Sequence, residues 1–258
     1  MLSVIWTTIL VNPIFNLLAL MYFLTKNLGV SIILLTVVIR TILIPFVLPS
    51  MKIMKKQRDL QPEIDALKKK YKYDKKKQAE MQMELFKKHG LNPASGCLTQ
   101  IVMIIVLIAL YNVISKFTAN TGIEELNTHV YLDFLKFSQT GVSTSFLWLN
   151  LTKPDPFYVL AVLAGGFQFL TSKMTMPYTE AGEKAAQKTP DKKDDIAYNM
   201  QAQMLYMGPV MNFIIGLTLP SGVVLYIIAT TVYSLAQTYF VSGWGGLGPW
   251  VKKLGIRM

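Results

Sequence analysis

Arg40 stands in the middle of an apolar run long enough to cross a bilayer. The stretch VSIILLTVVI (Val30 to Ile39) precedes it and TILIPFVLP (Thr41 to Pro49) follows. About 20 such residues span a hydrocarbon core of about 30 Å, so the guanidinium falls near the midplane. A charge there costs about 2.5–3.5 kcal/mol on insertion scales. Arginine does not escape by deprotonation, because its pKa exceeds about 12. No Asp or Glu occurs between Gly29 and Ser50, so no acid within the run neutralises it. Such a span must face water or a partner, which reads as function. The competing reading is a soluble core helix whose arginine pairs with an acid elsewhere. A composition of 52% hydrophobic residues and a mean hydropathy of +0.37 argue against it.

The net charge of +11 suits a nucleic-acid binder as well as a membrane protein, yet only 16% of residues are charged. Soluble nucleic-acid binders run basic without several apolar runs of spanning length. The single cysteine, Cys97, excludes an intrachain disulfide, and His89 and His129 lie apart from it and from each other, so no metal-ligand cluster is expected. The N-terminus has neither a basic n-region nor an obvious small-residue cleavage site, which predicts no removable signal peptide.

Apolar and charged segments alternate, and they predict nine parts. Residues 1–28 are apolar enough for a sixth span, but Asn12, Pro13 and Asn16 interrupt the stretch and only Lys26 to Gly29 would separate it from the next, which favours an N-terminal interfacial helix. The first transmembrane helix is 29–50, the second 97–117 and the third 157–173. Residues 204–242 hold a hairpin of the fourth and fifth, with only Pro220-Ser221-Gly222 between them. The cytoplasmic hairpin 51–96 carries 13 basic residues against 6 acidic ones. The extracytoplasmic loop 118–156 carries 2 against 4, the cytoplasmic loop 174–203 carries 4 against 5, and the short tail 243–258 carries 3 against none. Lys and Arg collect on the cytoplasmic side. Five crossings then put the N-terminus outside and the C-terminus inside, with 21 basic residues inside against 4 outside, Arg40 apart.

Within 51–96, Leu60, Ile64, Leu67 and Tyr71 recur at helical spacing, and Ala79, Met83 and Phe86 repeat it on a second helix after a turn at Tyr73-Asp74. Lys87-Lys88-His89-Gly90 predicts a basic last turn and a glycine cap. The lysines Lys68, Lys69, Lys70, Lys75, Lys76 and Lys77 flank the turn. They are either a solvated face that sets orientation or a docking surface for anionic lipid, ribosome or targeting factor.

Gly243-Trp244-Gly245-Gly246-Leu247-Gly248 matches G-x-G-x-x-G, but it follows an apolar helix and leaves only ten residues, so it is no dinucleotide site. No Walker A, H-E-x-x-H, G-x-S-x-G or paired-Cys pattern occurs, hence no enzymatic constellation and no cofactor are expected. Polar residues inside the spans remain: Thr36 one turn before Arg40, Gln100, Gln168, Ser172, Thr231 and Gln237. A lone Ser or Thr in such a helix usually bonds its own backbone. Arg40 with several glutamines instead suggests a hydrated groove open toward the cytoplasm.

The motifs IILLTVVIRTILIPF, LQPEIDALKKKYKYDKKKQAEMQMELFKKHGLNP, GCL, ALY, DPFYVL, FQFL and LPSGVVLY with a later Gln237 occur in one order. That order resembles the YidC-type membrane protein insertase family over about residues 9 to 242. The resemblance implies an all-α, five-helix transmembrane bundle without ATPase activity, with a hydrophilic groove open to cytoplasm and lipid and a cytoplasmic helical hairpin that receives clients. Arg40 would match the family's groove arginine and attract acidic residues of a client's translocated tail. The groove would help short polar tails across and release the apolar segment into lipid, aided by membrane thinning near a short fourth span. Implied partners are nascent membrane proteins, with ribosome, targeting factor, secretion channel and anionic lipids beside them, and no specific nucleic-acid sequence. The implied location is the bacterial cytoplasmic membrane. The chain departs from the family pattern at Thr99, Met103, Ile105, Ile227 and Thr231. No large domain is expected before residue 9 and no long tail after Ser242. A transporter or channel using Arg40 as a substrate site is the alternative; inverted repeats or paired broken helices would support it, and the sequence shows neither. A passive assembly scaffold is another.

Overall fold

The computed structural model describes residues 5–71, 73–91, 95–118, 122–137, 142–175, 196–253 and 255. Most of the expected 174–203 loop lies outside the described residues. A π-helical turn, Thr7–Val11, leads into α1 (Asn12–Thr25). Pro13 has no amide proton for the helical ladder, and the Asn12 amide reaches back to Thr7 O, the wider spacing of a π turn. Two residues later α2 (Leu28–Ile42) begins. Lys26 takes the left-handed conformation (φ 53°) that ends α1, and Asn27 caps α2 by accepting from the Val30 amide at 3.1 Å.

The run expected as one span over 29–50 is two helices, α2 and α3 (Ile44–Asp59), broken at Leu43. Pro45 is the cause: it offers the Thr41 carbonyl no N–H. The chain continues through α4 (Gln61–Lys70), α5 (Lys75–Lys88), α6 (Ser95–Thr118) and α7 (Ile123–Thr128). The fold is predominantly helical as expected, with one small addition, an antiparallel hairpin of β1 (Ser145–Phe146) and β2 (Leu149–Asn150), with Ser145 opposite Asn150. One short ladder of two residue pairs there satisfies backbone groups that a loop would leave to solvent. Next come α8 (Val159–Thr175), α9 (Ile196–Thr218), α10 (Ser221–Ser242) and α11 (Gly248–Lys253).

Thr7–Thr25 and Ser221–Ser242 are each long and apolar enough to cross a membrane, and the broken pair α2 plus α3 qualifies together. Ile101–Phe117, Val159–Thr175 and Leu205–Thr218 are further apolar stretches, within α6, α8 and α9. The N-terminal helix, expected in the interface, has a length and apolarity that suit a crossing equally.

The chain divides into two compact units. The first comprises Met1–Leu43, Ile101–Phe167 and Pro209–Tyr233. Its core joins Phe15, Leu18, Ile32, Leu35, Leu110 and Val224, all fully buried. Lipid is as apolar as these side chains, so close van der Waals packing rather than escape from water holds such helices together. Small residues make it possible: a Cβ on Gly216 would stand 2.6 Å from Ala161 Cα, so α8 and α9 meet almost backbone to backbone. The α10 N-terminus is satisfied by loop carbonyls, with Ser221 N and Oγ both donating to Lys153 O (2.8 and 2.7 Å) and Gly222 N to Leu151 O (3.0 Å). Asn16 ties α1 to the segment after α7. Its Nδ2 donates to His129 O at 2.8 Å and its Oδ1 accepts from Tyr131 N at 2.7 Å. Phe15 stacks on Phe117 and meets His129 and Phe137 edge-on beside it.

The second unit comprises Ile44–Gln100, Gln168–Gly208 and Ser234–Met258. One cluster joins Leu60, Ile64 and Leu91 with Ile53, Leu85 and Phe86; another joins Met174, Leu247 and Val251 with Leu170, Leu235 and Trp244. The helical hairpin is present as α4 and α5, and Asp74 caps α5 by accepting from Lys77 N at 2.9 Å. Gly90 (φ 65°) ends α5 as expected, with Leu91 N bonding Phe86 O and Gly90 N bonding Lys87 O in a Schellman turn. The expected stripe on α5 is displaced, however. Ala79 and Met83 are exposed, and Leu85 and Leu91 make the contact instead, at the base of the hairpin. Arg58 Nη2 and Lys55 Nζ donate to Ser242 O (3.1 Å) and Val241 O (3.3 Å), placing cations on the electronegative end of α10.

Candidate functional site

The break at Pro45 leaves Arg40 in the last turn of α2, where a cation also meets the negative end of the helix dipole. Its side chain belongs to the first unit and is only 8% exposed. Nη2 donates to Thr230 O on α10 at 3.2 Å. The neighbouring Thr41 Oγ1 donates to Val37 O at 2.7 Å and shares a hydrogen bond with Tyr233 Oη at 3.1 Å. Tyr226 is buried one turn earlier on α10. The Thr230 carbonyl is a neutral acceptor, so this bond holds the guanidinium without cancelling its charge.

Thr36 and Thr231 lie in the same unit and are fully or almost fully buried. Each hydroxyl donates to its own helix, Thr36 to Ile32 O and Thr231 to Ile227 O, both at 2.7 Å. Only their lone pairs remain to offer. The other positions singled out from the sequence belong to the second unit. Gln168 and Ser172 on α8 face Gly208 on α9, where an added Cβ would come within 3.4 Å of Gln168 Nε2 and 3.9 Å of Ser172 Oγ. Gln237 Nε2 is buried and has no hydrogen-bond partner among the described residues. Gln100 lies in α6, but its side chain is outside those described. The structure therefore brings Arg40, Thr36 and Thr231 into one packed unit, and the four remaining positions into the other.

Of the hairpin lysines, Lys70, Lys76 and Lys77 are exposed, and the side chains of Lys68, Lys69 and Lys75 lie outside those described. Lys70 and Lys77 place their Nζ atoms 5.5 and 6.0 Å from the Tyr71 ring centroid. Two groups near Arg40 escaped the sequence reading, Tyr226 and Tyr233. Their signal was there: Tyr226, Thr230 and Tyr233 are spaced four and three apart, one face of a helix.

The family model described as 60Kd inner membrane protein matches residues 20–244, a range that includes Arg40 and the other six in-span positions. A protein named membrane protein insertase YidC from Fusobacterium nucleatum is 34% identical over 215 residues, covering 83% of this chain and 86% of its own. A protein named membrane protein insertase MisCA from Bacillus subtilis is 31% identical over 243 residues, covering 92% and 79%. The solved structure titled active YidC insertase with the first transmembrane domain resolved aligns with a TM-score of 0.55 at 27% identity. That alignment covers 85% of this chain, which spans 43% of the other. With the family match running through most of the chain and through Arg40 itself, this protein belongs to the YidC-type membrane protein insertase family, the 60Kd inner membrane proteins.

Proposed function

We propose that the protein is a membrane protein insertase and chaperone of the bacterial cytoplasmic membrane, receiving apolar client segments in a hydrated groove and releasing them into lipid. The observation that carries the proposal is Arg40, a permanent charge in an apolar segment, 8% exposed and bonded to a backbone carbonyl. A group so costly to hold in a membrane is a functional element by default. Here it would draw an acidic residue of a short client tail inward, lowering the cost of moving that tail across. Two charges about 4 Å apart gain roughly 1 kcal/mol in water and about 4 kcal/mol at an effective dielectric near 20. That range covers a severalfold to a thousandfold effect on insertion. The proposed bundle has five crossings, an outside N-terminus and an inside C-terminus. Thr36 and Thr231 line the groove beside Arg40, and Gln100, Gln168, Ser172 and Gln237 are further client contacts. The relatives' names support nascent membrane proteins as clients.

Insertion of paired clients, one with an acidic translocated tail and one with it neutralised, tests the mechanism in cells depleted of their native insertase. Arg40→Ala is expected to impair the acidic client and change the neutral one little, while Arg40→Lys keeps partial or full activity because the charge remains. Equal losses for both clients would remove the electrostatic mechanism. Normal insertion of both would remove Arg40 from the site.

A further inference from the structure

Four large apolar side chains stand outward in the segment leading from β1 to α8. Leu147 and Trp148 form the two-residue tip of the β-hairpin, and Phe157 and Tyr158 immediately precede α8. Leu147 is 76% exposed and Phe157 68%, and Trp148 and Tyr158 are exposed as well. The backbone is unusual at two of the four. Leu147 has φ 56° and Tyr158 φ 57°, the left-handed region that favours glycine. Two-residue hairpins with a positive φ at the first turn position ordinarily place glycine there. Large apolar side chains sit at both strained positions without being buried in the unit, so folding alone does not account for them.

One carboxylate holds the two tips together. Asp155, 2% exposed, accepts from Trp148 Nε1 at 3.3 Å, from Phe157 N at 3.1 Å and from Leu160 N at 2.8 Å. The indole N–H is thereby bonded inward, while much of the ring stays exposed. The apolar surface continues along α8, where Val162 and Leu163 are also exposed. From Val142 to Tyr158 the only charged residues are Lys153 and the buried Asp155. Trp and Tyr beside a single Lys is the composition of the headgroup level of a bilayer, where amphipathic rings lie half in lipid.

We propose that this rim is an interfacial anchor: Leu147, Trp148, Phe157 and Tyr158 insert at the boundary of headgroups and acyl chains and hold the N-terminal end of α8 at a set depth. The occupant of the surface is lipid. The anchor depends on the helices crossing the membrane and not on the insertase mechanism.

The test uses the full chain with Trp148 as its only tryptophan (Trp6, Trp244 and Trp250→Phe), reconstituted in phosphatidylethanolamine–phosphatidylglycerol vesicles. Nitroxide placed high on the acyl chain is expected to quench Trp148 emission by about half, with aqueous iodide nearly ineffective, as for a ring at the interface. A tryptophan-free chain carrying Val232→Trp, at an exposed position of α10, reports separately on spanning through deeply placed nitroxide. Lipid quenching at position 232 with only iodide quenching at 148 would overturn the anchor, and is the result a protein-docking surface would give. Lack of lipid quenching at both positions would overturn the spanning reading and the anchor with it. Leu147→Gly suits the local φ; it is expected to leave Tm in detergent unchanged or higher while lipid quenching of Trp148 falls. A lower Tm with undiminished quenching would assign Leu147 to folding instead and overturn its part in the anchor.

Discussion

At Asn16 a single amide side chain satisfies two backbone groups of a segment more than a hundred residues away. Leaving a buried donor or acceptor unpaired costs about 1–3 kcal/mol each. Asn16→Leu is therefore expected to lower Tm in detergent by several degrees, at roughly 2–4 °C per kcal/mol for a chain of this size. Thermal unfolding followed by circular dichroism checks this. The neighbouring His129 accepts from Lys116 Nζ at 2.6 Å if its Nε2 is unprotonated. Burial first, and the Lys116 charge second, hold its imidazole below the ordinary range near 6.5, while Glu125 opposes them. The unfolded chain then binds a proton that the native one resists. Stability contributed here is full above about pH 6.5 and falls as pH drops below it. The Tm of wild type should decline between pH 7.5 and 5.5 more than that of His129→Gln, and equal slopes would remove His129 from the acid response. Residue identity alone marked Asn16 only as a flaw in an apolar stretch. Its partners, 113 and 115 positions on, become visible only when α1 and the segment after α7 lie side by side.

Among the elements, α8 and α9 depend on the missing side chain at Gly216. A methyl group there would meet Ala161 Cα at 2.6 Å, against backbone that has no rotamer to yield. Gly216→Ala is expected to destabilise by about 1–3 kcal/mol through overpacking, and Gly216→Val by more. Detergent-resistant folded fraction after heating would rank them. The helical hairpin is a different case. Its apolar contacts, Leu60, Ile64 and Leu91 with Leu85 and Phe86, are its own. Deleting Lys56 to Lys87 should leave a protein that still accumulates in the membrane but inserts clients poorly; normal insertion would mean the lysines are merely a solvated face. The glycine cap and the turn at Tyr73-Asp74 were legible in advance, because Gly90 and Asp74 act on backbone within a few residues of themselves. The α5 stripe was less so. Met83 has helical spacing from Phe86 but projects beyond the contact made at the hairpin base, so spacing alone misassigned it.

Across the whole molecule the asymmetry of charge makes the topology testable. With 21 basic residues expected on one side and 4 on the other, a cysteine introduced at position 75 in a Cys97→Ser chain should react with a membrane-impermeant reagent only after the cells are opened. Labelling from outside would reverse the orientation. The membrane class, the charge alternation and the singular position of Arg40 could all be read without a fold. Transfer free energies belong to residue types, and a run of them sums along the chain whatever its neighbours. The break at Leu43 was within reach for the same reason, since Pro45 acts on the carbonyl four residues before it. What tertiary structure alone decided was partnership. Arg40 bonds the carbonyl of a residue 190 positions away, the hydroxyls of Thr36 and Thr231 turn to their own helices, and Asp155 gathers three donors around one carboxylate. Such choices depend on which helices and loops pack together and at what rotation, and no local pattern carries that information.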